Sequence, residues 1–176
     1  MNKIPNIVIA GDSFTEFPYY QYIDKNNIKN FVEQIDSLDD MRPVHINYVM
    51  WFIHELYQYH DDNFRIFNVA KGSSGNHVIK TYYKKIIEYL TKYEVNDSLY
   101  ATIQLSGLYR PQNSIYGFLD IIDEYDTWKF DYDEGMSYYE IMNNQMSNIR
   151  DLVDISQMNN CKFKIFPGWG VRIVLR

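Results

Sequence analysis

Short apolar runs alternate with longer segments of helical periodicity along the chain. Four short segments that are apolar or rich in apolar residues, each closed by turn-forming or small residues, predict strands at 7–10, 64–69, 99–105 and 162–166. Between them, apolar residues recur at spacings of three and four, which predicts helices over 46–59, 77–93 and 138–158. A shorter helix is predicted around 30–35, inside an otherwise polar and aromatic segment.

The alternation of strands and helices predicts an α/β fold. Strands joined through helices form right-handed crossovers, which give a parallel sheet covered on both faces. In such sheets, ligands bind beyond the carboxyl ends of the strands. Three of the predicted strands end in loops rich in Gly or Ser, at 11–13, 72–76 and 106–110. We expect these loops to meet at one edge of the sheet, called the rim below.

Length and charge restrict the classes of function. A chain of 176 residues predicts one domain, 1–176, with a full hydrophobic core. Its 17 basic and 23 acidic residues give a net charge of −6, which argues against nucleic acid or an anionic membrane surface as partner. The only cysteine, Cys161, excludes an internal disulfide framework and a cysteine-based zinc site.

The chain carries no apolar stretch long enough to span a membrane. The apolar run at 7–10 leads directly into the first loop motif, so we expect a protein made without a cleaved signal peptide. This predicts a cytoplasmic location or, for a viral protein, the host cytoplasm or the virion. Neither a cofactor nor a metal is expected.

The first motif is Gly11-Asp12-Ser13, directly after the first predicted strand. A serine in a tight turn between strand and helix is exposed at the rim, and its N–H points toward whatever binds there. The alternative is structural, because Asp12 or Ser13 would also be a suitable cap for the following helix.

The second motif, NVAKGSSGN at 68–76, follows the second predicted strand. Gly72 and Gly75 let the backbone bend toward a ligand, with N–H groups facing an oxyanion or a phosphate. One alternative is a flexible connection with Asn76 as the helix N-cap. Another is a phosphate- or nucleotide-binding loop, although no Walker lysine or G-x-G-x-x-G fingerprint accompanies it.

Together, these two loops resemble, in order and spacing, those of the SGNH (GDSL) hydrolase family, over about residues 5 to 170. The resemblance implies a flavodoxin-like three-layer α/β/α sandwich with a mostly parallel sheet of four to five strands. It implies a serine esterase, acting on a small-molecule ester or an acylated carbohydrate. Ser13 would be the nucleophile and Gly75 would donate its N–H to the oxyanion hole, with Gly72 as the fallback.

The third motif departs from that family. Its members usually carry G-x-N-D after the third strand, whereas this chain has Tyr109 and Arg110 at the Asn and Asp positions. Some divergent members are similar to this chain here, which implies that Ser106 and Arg110 are oxyanion or substrate-binding groups. Asp12 and Asn76 are further candidates for substrate binding. The alternative for Arg110 is a surface salt bridge to the acidic segment 120–134.

The family's D-x-x-H base near the C-terminus has no counterpart, since no histidine follows His77. We therefore expect a chain that lacks the family's last helix, and two functions stay open: an esterase, or a catalytically inactive relative that binds. His77 is a substitute base at the rim or a solvated residue of the first helical turn. His45, His54 and His60 are predicted to be surface or half-buried residues.

Two further segments carry predictions. The seven carboxylates within 120–134 predict a solvated loop rather than a calcium site, because the EF-hand spacing and closing Glu are missing. The apolar tail 171–175, which follows the last predicted strand, would be exposed in a monomer. It predicts self-association into a homo-oligomer, or a partner chain that covers it.

Overall fold

The structure, a computed structural model, describes residues 4–12, 15, 22–30, 33, 48–59, 64–71, 75–93, 98–106 and 138–167. These ranges hold, in chain order, β1 (Pro5–Ala10), β2 (Tyr22–Asp24), α1 (Tyr48–Tyr59), β3 (Arg65–Asn68), α2 (Asn76–Tyr93), β4 (Ser98–Leu105), α3 (Tyr138–Met158) and β5 (Lys162–Pro167). Residues 28–30 and 33 are also helical.

The strands form one mostly parallel sheet in the order β2-β3-β1-β4-β5. β1 lies between β3 and β4 and is parallel to both, and β5 is parallel to β4. Only β2 runs antiparallel, along β3. The predicted α/β class, with a mostly parallel sheet of four to five strands, is confirmed.

Helices pack on both faces of the sheet because successive strand side chains point to opposite sides. On β1, Val8 and Ala10 belong to the core shared with α2 and α3, which also includes Ile103 and Leu152. Ile9 belongs to a second core with Val49 and Ile53 of α1 and Ile66 of β3. All of these except Ala10 are large aliphatic side chains, and each face therefore has its own apolar core.

The predicted strands and long helices agree with the observed ones to within two residues at each end. The sequence prediction missed β2, because three residues are too few to show an alternating pattern. Tyr57 and Tyr89 stand at helical spacing from the apolar residues of α1 and α2, but each is 40% exposed. A tyrosine at the border of an apolar stripe can pack its ring while its hydroxyl stays in water.

Several predictions fall outside the described residues. They concern Ser13, Gly72, Arg110, His45, His60, the acidic segment 120–134 and the tail 171–175. His54 is half-buried on α1, as predicted. Within the described ranges, no helix combines the length and apolar character needed to cross a membrane.

Candidate functional site

The loops after β1 and β3 are joined by backbone hydrogen bonds beyond the ends of the strands. Val69 N donates to Ile9 O at 2.8 Å, and Lys71 N donates to Gly11 O at 3.1 Å. The parallel ladder thus continues past the last paired residues of β1 and β3, Ile9 and Asn68. The described beginnings of these two loops therefore lie together at the rim, as predicted, whereas Ser13 and residues 72–74 lie outside the described residues.

The loop after β1 is also held by three buried side chains, Thr15, Asn68 and Gln104, named here the β1 clamp. Thr15 Oγ1 donates to Gln104 Oε1 of β4 at 2.5 Å, and Asn68 Nδ2 of β3 donates to Thr15 O at 2.9 Å. Thr15 N also donates to Asp12 O at 2.9 Å. The described backbone on either side of Ser13 is therefore tied to both neighbouring strands.

Gly11 cannot carry a side chain in this arrangement. A Cβ built on it would lie 2.7 Å from Thr15 Cβ and 3.1 Å from Gln104 Cβ, and would also collide with Thr15 Oγ1. A non-glycine residue here would push Thr15 away from Gln104. Steric crowding by the β1 clamp thus explains why the first motif carries a glycine at this position.

A second group of buried residues, Asn76, Ser106 and Gln145, joins α2, β4 and α3 and is named here the α2 clamp. Asn76 Oδ1 accepts a hydrogen bond from Ser106 N at 2.7 Å. Asn76 Nδ2 donates to Gln145 Oε1 at 2.7 Å and to Ser106 O at 3.3 Å. The side-chain amide of Asn76 therefore fixes the end of β4 against the start of α2.

Gly75, and not Asn76, occupies the cap position of α2. Ile79 N donates to Gly75 O at 3.1 Å, which is the first hydrogen bond of the helix, and Gly75 is buried. The alternative that Asn76 caps the helix is wrong, since its side-chain oxygen accepts from Ser106 N instead. The positive end of the helix dipole of α2 lies at the rim, where an anion would be stabilised.

Ser106 combines a fixed backbone with an unpaired side chain. The residue is 2% exposed, and its Oγ has no hydrogen-bond partner in the part of the chain that the structure describes. Its N and O are both bonded to Asn76. The clamp thus satisfies the backbone of Ser106, whereas the described residues provide no partner for its hydroxyl.

His77 lies in a row of polar contacts between α2 and α3. Its side chain hydrogen-bonds that of Asn148, and one turn further along α2 Lys80 Nζ lies 2.7 Å from Asp151 Oδ2. Burial and the positive charge of Lys80 lower the pKa of His77, while the Asn148 hydrogen bond and Asp151 act in the opposite direction. The imidazole is therefore neutral at pH 7 and able to accept a proton.

Asp12 is buried beside the β1 clamp, with its backbone oxygen bonded to Thr15 N. Of the predicted site residues, the structure thus brings Asp12, Gly75, Asn76, His77 and Ser106 to the rim or to the first turn of α2. The structure does not describe Ser13, Gly72 or Arg110.

Sequence reasoning gave no functional role to four of the clamp residues, Thr15, Asn68, Gln104 and Gln145, nor to Asn148, the partner of His77. The available signal was a polar residue within an otherwise apolar pattern, as with Gln104 near the end of β4 and Gln145 on the apolar face of α3. Such a pattern indicates a buried polar contact but does not identify its partner.

Cys161 is not a nucleophile at this site. It lies just before β5, at the end of the strand opposite to the rim, and it is buried. Its Sγ is 3.6 Å from Tyr83 Oη, and burial raises the pKa of the thiol.

Among the described residues, no group of three or more His, Cys, Asp or Glu side chains could hold a metal ion. No protein-family model matches the chain, and neither does any curated protein. The function is therefore inferred from the sequence motifs and from the geometry of the rim.

Proposed function

We propose that this protein is a serine ester hydrolase of the SGNH type, with Ser13 as its nucleophile. The observation that carries the proposal is the joining of the two motif loops at the rim. The Lys71 N to Gly11 O bond links the GDS loop to the NVAKGSSGN loop, and Asn68 bonds to Thr15 on the other side of Ser13. A nucleophile and an oxyanion donor on separate loops need such a common anchor.

The order of the strands supports the same proposal. Without β2, the parallel strands follow one another across the sheet as β3-β1-β4-β5. This corresponds to the order 2-1-3-4 that begins a flavodoxin-like sheet, whose ligands bind between its first and third strands, which correspond to β1 and β4 here. We assign the flavodoxin-like fold to this chain as part of the proposal.

In the proposed reaction, Ser13 Oγ attacks the carbonyl carbon of an ester and its proton passes to a base. The carbonyl oxygen becomes an oxyanion, which accepts hydrogen bonds from the N–H groups of Ser13 and Gly75. Collapse of this intermediate breaks the bond to the alcohol, which leaves with the proton from the base. Water then hydrolyses the acyl-serine to the carboxylic acid. The substrate is a small ester, with acylated carbohydrate as the class to test first.

His77 is the base that this proposal assigns. It is the second residue of α2, directly after the Asn76 that fixes the rim, and its pKa is lowered, so it is neutral at pH 7. Its Asn148 partner holds the ring through a hydrogen bond, as the third member of a catalytic triad does.

The hydrogen bond between His77 and Asn148 also favours a second candidate function, a catalytically inactive relative that binds esters or carbohydrate. The hydrogen-bond partner of His77 is an amide, which cannot balance the charge of an imidazolium as a carboxylate does. The nearby Lys80 further disfavours protonation. A weak base would leave Ser13 poorly activated.

Labelling with a fluorophosphonate, read by peptide mass spectrometry, separates the two functions. An activated Ser13 forms a bond to phosphorus, fluoride leaves, and the hydroxyl proton passes to the base. We expect labelling at Ser13, loss of labelling in Ser13→Ala, and normal labelling in Ser147→Ala, which removes an exposed serine of α3. A folded wild-type protein that stays unlabelled and hydrolyses no p-nitrophenyl ester would overturn the esterase proposal and favour binding.

A further inference from the structure

A partly buried ion pair lies between α2 and α3, one helical turn from the hydrogen bond between His77 and Asn148. Lys80 Nζ is 2.7 Å from Asp151 Oδ2, and the two side chains are 20% and 45% exposed. Lys80 follows His77 by three residues on α2. Asp151 likewise follows Asn148 by three residues on α3. Residues three apart are neighbours on a helix surface, so both members of the ion pair lie beside the His77 contact.

The two charges of this pair act on His77 in opposite directions. Burial is the largest influence and lowers the pKa of His77, and the ammonium of Lys80 lowers it further. The hydrogen bond to Asn148 and the carboxylate of Asp151 raise the same pKa. A histidine that faced Lys80 without Asp151 would therefore be a weaker base. A general base is most effective when its pKa lies near the working pH.

We propose that Asp151 keeps His77 basic by offsetting the charge of Lys80, and that the ion pair holds both charges in a fixed place beside the imidazole. Lys80 and Asp151 are positioning residues, since they act through His77 and not on a substrate. The inference rests on the proposed function for its effect on ester hydrolysis. Its effect on His77 itself depends only on contacts between described residues of α2 and α3.

The test removes each charge and keeps a hydrogen-bonding amide in its place, in Lys80→Gln and Asp151→Asn. NMR of the imidazole signals from about pH 8 to about pH 4 gives the protonation midpoint of His77, whose signal is the one absent in His77→Gln. We expect the midpoint to rise in Lys80→Gln, which leaves the carboxylate unbalanced. It should fall in Asp151→Asn, which leaves the ammonium unbalanced. The double variant should lie between the two.

Two exposed charges provide matched controls. Lys84→Gln removes a lysine of α2 that pairs with Glu88, and Asp154→Asn removes a carboxylate of α3 three residues after Asp151. Both should keep the wild-type midpoint at about 0.15 M salt, where the Debye length is about 8 Å. The remaining charged side chains on the elements around this turn stay unchanged in every variant: Asp12 and Lys71 at the rim, and Glu140 and Arg150 on α3.

The direction of the two shifts separates a charge effect from a loss of packing. A loosened α3 would mainly relieve the burial of His77 and move the midpoint upward in both single variants. An upward shift in both, or an unchanged midpoint in either, would overturn the role of Lys80 and Asp151.

The same variants distinguish this inference from the proposed function. Opposite shifts in a protein that reacts with neither the fluorophosphonate nor p-nitrophenyl acetate would uphold the role of the ion pair and reject the esterase alone. In an active protein, the pH at which hydrolysis is half-maximal should move in the same direction as the midpoint of His77. A half-maximal pH that stays at the wild-type value in both single variants would overturn the effect on hydrolysis.

Discussion

The two clamps at the rim are built from similar residues but differ in how their hydroxyl groups are paired. In the β1 clamp, the Thr15 hydroxyl is paired with Gln104, and the Asn68 amide binds Thr15 O and Ala70 N. In the α2 clamp, Asn76 satisfies the backbone of Ser106, but the Ser106 hydroxyl has no partner among the described residues. Both clamps fix neighbouring elements to the sheet, and the second alone combines a fixed backbone with a buried hydroxyl that is unpaired within the described ranges.

This difference has a general physical basis. A hydroxyl that is already paired inside the protein contributes to stability and gains little from a ligand. A buried hydroxyl without a partner costs stability in the free protein, and a ligand that pairs with it recovers that cost. Removing a paired hydroxyl should therefore lower stability. Removing an unpaired one should keep or raise stability and weaken the binding of a ligand that pairs with it.

The largest effect is expected where a clamp loses its central amide. Asn76→Ala removes the partner of both Ser106 N and Ser106 O and one partner of Gln145. Since each buried group left unpaired costs about 1–3 kcal/mol, we expect the free energy of unfolding to fall by about 3–5 kcal/mol. Urea unfolding followed by circular dichroism measures it.

Asn143→Ala is the matched control, because this asparagine is exposed on α3. It should change the free energy of unfolding by less than about 0.5 kcal/mol. An Asn76→Ala protein as stable as this control would show that the α2 clamp does not hold the rim.

A smaller effect is expected in the β1 clamp. Thr15→Val keeps the shape of the side chain but removes the buried hydroxyl that donates to Gln104 Oε1 at 2.5 Å. We expect a loss of about 1–3 kcal/mol in the free energy of unfolding, against no loss for Ser106→Ala. The two values, measured by urea unfolding under one condition, compare a paired hydroxyl with an unpaired one.

Thr91→Val serves as the control for that pair. The Thr91 hydroxyl bonds to Ile87 O at 2.8 Å on an exposed part of α2, where water can replace it. Its substitution should cost less than about 0.5 kcal/mol. Equal losses for Thr15→Val and Ser106→Ala would contradict the distinction between the clamps.

The smallest effect concerns pH. The folded state lowers the pKa of His77 from its usual 6.5, mainly by burial, so the unfolded chain binds the proton more readily. Well above pH 6.5 both states are neutral at this residue and nothing is lost. As the pH falls below 6.5 toward the folded pKa, the wild type loses stability that a His77→Gln variant keeps.

Unfolding midpoints of both proteins between pH 8 and pH 5 measure this difference. The carboxylates titrate in both proteins, so only the difference between them reports His77. Parallel curves over the whole range would show that the folded state does not perturb this histidine.

Much of the fold was predictable because it depends on local patterns. β1 is marked by an apolar run of four residues, β3, β4 and β5 by short segments rich in apolar residues, and α2 by apolar residues at spacings of three and four. β2 was not predictable, since three residues show no period and its pairing depends on β3. The convergence of the GDS and NVAKGSSGN loops followed from the rule that parallel strands place their carboxyl ends together.

The contacts within the site were not predictable in the same way. The same Asn76 could have capped α2, and only the structure shows that it binds Ser106, 30 residues away, and Gln145, 69 residues away. Thr15 reaches Gln104 across 89 residues. No local pattern contains such a pairing, because it depends on which strands become neighbours.

The sequence by itself determined the strand and helix pattern, the α/β class and the loops that follow the carboxyl ends of the strands. Backbone geometry imposes periods of 2 and 3.6 on apolar positions, and these periods can be recognised without the partners. The tertiary structure decided the order β2-β3-β1-β4-β5, the residues of both clamps and the pairing of each buried polar group. Hydrogen bonds between distant segments form only after the sheet is assembled, so the tertiary structure alone shows which buried polar groups are paired among the described residues.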